Sequence, residues 1–274
     1  MVRAMQTPPL LTDRSSLMRH RMRATALFLQ ELAVAEVQDR IAEVNRTFTK
    51  PLVVTGFPHL WPDLPSISDE EVLAANVAEH DLVIHALALH WANDPVGQLV
   101  QCRRALQPDG WFIGIMFGGQ TLQELRACLG QAEAEVTGGL SPRILPMGEV
   151  RDMGALLQRA GFALPVADTF TTTVLYRDAF HLMQDLRAMG EGNALAQRLR
   201  HPTRRSVFTR AAELYQQTYG ATGGRIPATF EMIVLTGWAP HDSQPKPLRP
   251  GSARTRLSDA LAVPELKLPR EPGL

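Results

Sequence analysis

Two short apolar runs constrain this chain more than anything else in it. Leu52-Val53-Val54-Thr55-Gly56 reads as a buried strand entering a glycine turn, and Asp81-Leu82-Val83-Ile84-His85 reads as a second buried strand. Asp81 follows Gly56 by only 25 positions, where a single strand-helix-strand unit takes roughly 30. Pro58, Pro62 and Pro65 fall inside that interval and make it poor helix material. Any alternating α/β sheet built on these strands is therefore abbreviated in its first half.

The rest of the chain alternates more regularly. Leu29, Ala33, Val37, Ile41, Val44 and Phe48 mark one face of a helix spanning about Arg23 to Phe48, ended by Pro51. Val96, Leu99, Cys102 and Leu106 mark another helix, stopped by a turn at Gln107-Pro108-Asp109-Gly110. Trp111 to Phe117 is a fully buried strand that ends at Gly118-Gly119. Thr121 and Glu124 have the spacing of a capping box, opening a helix that closes at Gly138-Gly139. A further helix, Met147 to Ala160, stops at Gly161. Two β-rich stretches follow, Phe162 to Tyr176 and Phe230 to Trp238, separated by helical patterns at Asp178 to Met189 and Thr203 to Tyr215. The pattern predicts an α/β, Rossmann-like, doubly wound sheet with an antiparallel C-terminal edge, truncated in its first half and carrying a helical insertion before its last strand. The expected organisation is an N-terminal lead over 1–22, a domain over 23–245 with the insertion at 177–225, and an extended or disordered tail over 246–274.

Composition removes several classes. A hydrophobic fraction of 45% with 20% charged residues is that of a soluble globular chain. Lys plus Arg and Asp plus Glu both number 28, so bulk charge favours neither nucleic acid nor anionic lipid. Arg14, Arg19, His20, Arg21 and Arg23 form one basic cluster, and Arg198, Arg200, His201, Arg204 and Arg205 a second. Such runs are ordinarily solvated surface, the sharper alternative being docking to an acidic partner. Cys102 and Cys128 are the only cysteines, and without a CxxC they read as reduced, core thiols. No apolar run has the length of a membrane span, which leaves peripheral membrane association compatible with the chain. The basic opening has no apolar h-region and is not a secretory signal; its composition is compatible with a transit segment, although the helical periodicity begins early. No nucleophile elbow, Walker loop or GxGxxG is present.

In a doubly wound sheet, ligands sit beyond the carboxyl ends of the strands at the switch point. That rule lines up Thr55 and Gly56, His85, Ala86 and Leu87, the His90-Trp91-Asn93 segment, and Gly118 and Gly119 along one crevice. Gly118 and Gly119 read equally as a close approach to a ligand and as a tight turn needing positive φ. His85, His90 and Trp91 read either as a packed tryptophan with hydrogen-bonded histidines or as a substrate-facing wall in which Trp91 stacks a guanidinium or an adenine. The two histidines have no metal-ligand spacing with a carboxylate, so no metal site is expected. Arg143, after a proline, is a better binding candidate than Arg126; Met183, Met189 and Met232 read as core filler.

The ordered set Asp81 to Pro95, Leu106-Gln107-Pro108-Asp109-Gly110, Phe117 to Leu122, Gly138 to Pro142, Gly154 to Phe162, Asp185 to Asn193, Pro227 to Glu231 and Gly237-Trp238 resembles the class I S-adenosylmethionine-dependent methyltransferases. Within them it is most similar to the methyltransferase-fold assembly factors of respiratory complex I, over about residues 10 to 253. The resemblance implies a protein that binds or modifies an immature quinone-module subunit, by arginine hydroxylation in the mitochondrial member, in the mitochondrial matrix or in the bacterial cytoplasm near the inner membrane. It implies S-adenosylmethionine as cofactor, with Thr55, Gly56, His85, Ala86, Leu87, Gly118 and Gly119 as its contacts. It places His90, Trp91, Asn93, Arg143, Arg187 and Glu191 on the substrate or partner side. The chain departs from the pattern at Val54-Thr55-Gly56-Phe57-Pro58, which has one glycine and no acidic residue, and no clear second strand carries a ribose-binding carboxylate. Asp69, Glu70 and Glu71 are the nearby carboxylates. A degenerate cofactor site is the expectation, with an active methyltransferase on a small or carrier-bound acid as the alternative and a purely structural interaction module as the third reading. No catalytic residue is assigned.

Overall fold

The computed structural model describes residues 10–245. Its centre is a six-stranded sheet in the order β2-β1-β3-β4-β6-β5, made of β1 (Pro51–Thr55), β2 (Ser66–Ile67), β3 (His80–Ala86), β4 (Leu106–Phe117), β5 (Ala163–Tyr176) and β6 (Ile226–Trp238). The β1, β2, β3 and β4 strands run parallel, and β6 returns antiparallel to both β4 and β5. This is the abbreviated class I methyltransferase-like sheet that the sequence predicts. Between β1 and β3 there is no α-helix, only a short 3-10 turn at Pro58–Leu60 and the two-residue β2 beside β1.

The sheet is buried on both faces, which explains why β1, β3 and β4 read as continuous apolar runs rather than alternating ones. Trp111, Ile113, Ile115 and Phe117 of β4 enter one core with α2 (Phe28–Glu43), α4 (Gln123–Thr137), α6 (Ala179–Ala188) and α7 (Arg205–Tyr219). Phe112 and Met116 enter the opposite core with α3 (Pro95–Ala105) and α5 (Val150–Arg159). Cys102 and Cys128 are both buried free thiols. Burial pushes them up to about 12 and about 11, the second with help from the Glu124 charge, so both stay protonated.

Several local expectations are revised. The first long helix stops at Glu43, so Val44 and Phe48 lie beyond it, and Phe48 instead stacks on Trp111 with ring centroids 5.8 Å apart. The turn at Gln107–Gly110 survives as a kink inside a longer strand, with Asp109 at φ 61° and the register against β3 shifted between His80 and Leu82. Thr121 and Glu124 make no capping box. Thr121 Oγ1 donates to the Glu231 carbonyl and accepts from its N–H, while Glu124 takes the Thr229 N–H and hydroxyl. Both side chains fasten α4 to β6 in place of the helix start. Gly138 at φ 75° and Gly161 at φ 83° stop α4 and α5 in the left-handed conformation expected of them.

Residues 14–21, within the expected N-terminal lead, form α1 (Arg14–Arg21), capped by Asp13, which accepts from Ser16 N at 3.0 Å. Leu17 is fully buried in a small cluster with Trp91, Leu145, Ala194 and Leu195. The two basic clusters are partly internal instead of solvated: Arg198 and Arg200 both reach the Asp13 carboxylate, at 2.9 and 3.1 Å, and Arg14 and Arg21 reach Asp69. Among the described residues no helix is long and apolar enough to cross a membrane. The chain divides after Pro240, and in the unit that begins at His241 the His241 ring meets the Ser243 hydroxyl at 2.7 Å. The tail expected over 246–274 lies outside the described residues.

Phe112 is wholly enclosed and packs on Phe162 at 4.9 Å between centroids. Phe112→Ala should cost about 3–5 kcal/mol, read as a lowered urea midpoint at unchanged slope.

Candidate functional site

Because β1, β3 and β4 are parallel, their carboxyl ends share one edge of the sheet, where Thr55-Gly56, Ala86-Leu87 and Phe117-Gly118 emerge. The backbone donors of this edge are already taken by the protein. Thr55 Oγ1 accepts from Phe57 N at 3.0 Å, Leu87 N donates to the Ile115 carbonyl at 2.9 Å, and Gly118 N donates to the Glu231 carbonyl at 2.9 Å. Gly119 N donates to the Gly148 carbonyl at 3.1 Å. Neither Gly118 nor Gly119 has positive φ. Their missing side chains make room for carboxylates: a Cβ would fall 2.9 Å from the Glu231 Cδ at Gly118 and from the Glu149 Cδ at Gly119.

Gly56 is the clearest case. A Cβ there would fall 2.5 Å from the Arg21 Cζ, so the guanidinium at the end of α1 lies directly over the turn that ends β1. Arg21 Nη1 reaches Asp69 Oδ1 at 2.7 Å, and Arg14 Nη1 reaches Asp69 Oδ2 at 3.0 Å. The Arg21 and Asp69 side chains are only 3% and 2% exposed, which puts this pair among the fully desolvated ones. Burial raises the Asp69 carboxyl, but the charges and hydrogen bonds of Arg21 and Arg14 outweigh it and hold Asp69 well below the usual carboxylate range. Asp69 follows β2, so the abbreviated second strand does deliver a carboxylate to the crevice; its oxygens are spent on arginines. His85, fully buried, meets Gln98 Oε1 through Nε2 at 2.8 Å, and Gln98 Nε2 in turn donates to the carbonyls of Asp69 and Glu70. Burial holds the imidazole below its ordinary range, and hence neutral. The fold family implies an adenosyl cofactor at this edge. With α1 docked the residues present do not fit one: Arg21 stands over the glycine turn, both Asp69 oxygens meet arginines, and the amides of Leu87, Gly118 and Gly119 are engaged.

At the same carboxyl edge, on the side of the helical insertion, lies a cavity of about 500 Å³ lined by α4, α6, α7 and the loop after α6. It brings together Trp91, Arg143, Arg187 and Glu191, four of the six substrate-side candidates. Its walls are apolar, with Leu125, Phe117, Met183, Phe208 and Phe230 prominent. Met183 is therefore cavity wall as well as filler, and Phe180 and Phe208 join it, although only the amphipathic pattern of the insertion marked them in the sequence. Glu191 is the cavity's buried carboxylate. Its Oε2 accepts from Trp91 Nε1 at 2.8 Å and lies 3.7 Å from His90 Nε2, while Oε1 has no partner. Burial raises the Glu191 carboxyl; the proximity of His90, the Arg21 charge and the Trp91 bond outweigh it and leave the group lowered, hence ionised. His90 sits behind it, edge-on to Phe117 at 5.0 Å, with neither ring nitrogen hydrogen-bonded within the protein. Arg143 is neutralised by Glu133, at 3.0 Å from Nε, and donates to Thr203 Oγ1. Arg187 is exposed at the rim on α6. Asn93 does not line the cavity: its Oδ1 accepts from Thr12 N at 2.8 Å and its Nδ2 donates to Glu71, tying down the segment before α1.

Asp69→Asn leaves Arg21 buried without a counter-charge and should cost about 3–5 kcal/mol, measured by urea unfolding at neutral pH. Because the folded Asp69 titrates below its unfolded value, its contribution is complete at neutral pH and is lost as pH falls below about 4. The gap between wild type and variant should shrink in acid.

No protein-family model matches the chain. It is 36% identical over 270 residues to the mitochondrial arginine-hydroxylase NDUFAF5 of Danio rerio, covering 88% of this chain and 84% of that protein. It is 35% identical over 173 residues to a malonyl-[acyl-carrier protein] O-methyltransferase of Laribacter hongkongensis, covering 63% of this chain and 56% of that protein. Among solved structures, the YcgJ protein of Bacillus subtilis overlays with a TM-score of 0.49 at 11% identity, over 76% of this chain and 99% of that one. Identity sustained along most of both chains goes with the retained sheet and its helical insertion: this chain belongs to the NDUFAF5 arginine-hydroxylase family.

Proposed function

We propose that this chain holds an arginine side chain of a client protein in the insertion-side cavity, with Glu191 as the group that recognises it. The observation that carries the reading is the ionised, buried Glu191 carboxylate with one oxygen unpartnered in a largely apolar cavity, where Arg143 is paired with Glu133 and Arg187 is exposed. A guanidinium supplies both the charge and the N–H donors which that oxygen lacks, and its aliphatic stem suits leucine, methionine and phenylalanine walls. Trp91 and Phe117 offer ring faces to a cation. The relative's activity, arginine hydroxylation, is the modification we assign to the bound side chain, the oxidant coming from outside the chain. The client, by the resemblance noted in the sequence, is an immature subunit of the complex I quinone module, met in the mitochondrial matrix or on the cytoplasmic side of a bacterial inner membrane. Peripheral membrane association fits such a client, and nucleic acid has no place in this reading.

A second reading, S-adenosylmethionine-dependent methyl transfer to a carrier-bound acid, draws support from the fold and from the Laribacter relative. Arg21 over Gly56 and the saturated Asp69 weigh against it, as does an acidic group in the cavity where an acid substrate would sit.

Calorimetry with an arginine-bearing client peptide, compared with the same peptide carrying neutral citrulline, tests the assignment. Arginine should bind ten- to a hundredfold more tightly, about 1.4–2.8 kcal/mol, and Glu191→Gln, which can still accept from Trp91, should erase the difference. In cells, loss of the gene should remove one oxygen's mass from the client arginine and lower assembled complex I. Equal binding of both peptides, or a deletant with normal NADH-quinone activity, overturns the reading.

A further inference from the structure

We infer that α1 is a resident plug of the nucleotide crevice, and that an adenosyl cofactor enters only when α1 leaves. This does not rest on the guanidinium reading of Glu191; it concerns the Gly56 side of the same carboxyl edge. Three observations converge on it. The Arg21 guanidinium occupies the space that the absent Gly56 side chain leaves above the end of β1. In a doubly wound sheet that space belongs to the ligand. Asp69, the carboxylate delivered by β2, is held on one oxygen by Arg21 and on the other by Arg14, so both arginines of α1 compete with any ribose hydroxyl for it. The third observation is that the plug is imperfectly paired. Arg21 Nε and Nη2, Arg14 Nε and His85 Nδ1 are buried without hydrogen-bond partners.

The orphaned guanidinium donors decide between a permanent filler and a removable one. A core residue selected only to fill space is apolar or fully satisfied, because each buried donor left unpaired opposes the closed state. α1 leaves three of its guanidinium nitrogens in that condition. Its polar restraints lie at its ends, and between them one apolar side chain, Leu17, is buried. The Asp13 carboxylate meets Arg198 and Arg200, Thr12 N meets Asn93, and His20 Nδ1 meets the Gly192 carbonyl at 3.2 Å. Gly190, at φ 80°, leaves room for the Arg21 backbone, where a Cβ would fall 3.1 Å from its Cα. The helix is joined to α2 by six residues outside helix and strand, anchored where Thr25 N and Ala26 N donate to the Ala188 carbonyl, so Met22 to Ala24 form the hinge about which it would turn.

The test is titration of S-adenosylmethionine into the full chain by calorimetry, beside Arg21→Ala and Arg14→Ala/Arg21→Ala, each checked for native circular dichroism. Wild type should bind at least tenfold more weakly than Arg21→Ala, with the double variant at least as tight as the single one. Equal affinity of wild type and Arg21→Ala overturns the plug, and so does a folded Arg21→Ala that gives no saturable binding. Hydrogen exchange of the wild-type chain at high S-adenosylmethionine supplies a reading that needs no variant. Faster exchange across residues 14–21, together with protection near Gly56, supports the inference; protection near Gly56 with residues 14–21 unchanged overturns it. None of these outcomes alters the arginine-versus-citrulline comparison, so the two readings fail separately.

Discussion

The rest of the site depends on one carboxylate. Asp69 is buried at the carboxyl edge of the sheet and survives there as an anion because Arg14 and Arg21 stand against it. Desolvating such a group costs several kcal/mol, so the ion cluster is a poor source of net stability. Its consequence is positional: while the pair is made, α1 stays docked. With α1 docked, Leu17 is pressed into the cluster containing Trp91, and Trp91 is in turn bonded to Glu191. A charge pair over the β1 turn thus orders a wall of the neighbouring cavity.

The strands and most helices were legible because they are governed by short-range rules. Runs such as Leu82 to His85 and Trp111 to Phe117 are apolar on both faces only when both faces are covered, and helices do cover both. Gly138 and Gly161 stop helices because a left-handed residue is needed there. What failed to be legible needed a partner far along the chain. Thr121 and Glu124 match a capping box in spacing, yet β6 offers them Thr229 and Glu231, more than a hundred positions away, and tertiary pairing wins. The arginines of α1 look like solvated surface because nothing local shows that Asp69 will meet them 48 and 55 residues on. Asn93 was misplaced for the same reason: its partners are Thr12 and Glu71. Trp91, Arg143, Arg187 and Glu191 line one cavity, and the aromatic residues around them carry no sequence signal beyond amphipathic periodicity.

Glu191 and Asp69 are the two buried carboxylates near Arg21, and they differ in how completely they are answered. Asp69 has an arginine on each oxygen. Glu191 has an indole N–H on one oxygen, a histidine beyond hydrogen-bond length and nothing on the other. Both stay ionised, but only Glu191 retains an acceptor to offer. In a low-dielectric wall an incompletely answered charge is the group with most to gain from a ligand, whereas a saturated one resists substitution. The same chain thus closes one part of the carboxyl edge of its sheet and leaves the neighbouring part receptive.

The shortened interval between β1 and β3 accounts for that asymmetry. A nucleotide crevice depends on glycine-rich backbone and on the helices that flank the first strands. Here those helices are missing, β2 is reduced to two residues, and α1 packs its arginines into the opening. The insertion between β5 and β6 does the reverse, adding α6 and α7 over the sheet and enclosing an apolar volume with a single buried anion. The lining of an enclosed volume thus comes largely from the insertion, while the first half of the chain fills its own crevice. A chain so divided is better suited to grasping a side chain on another protein than to presenting a methyl donor.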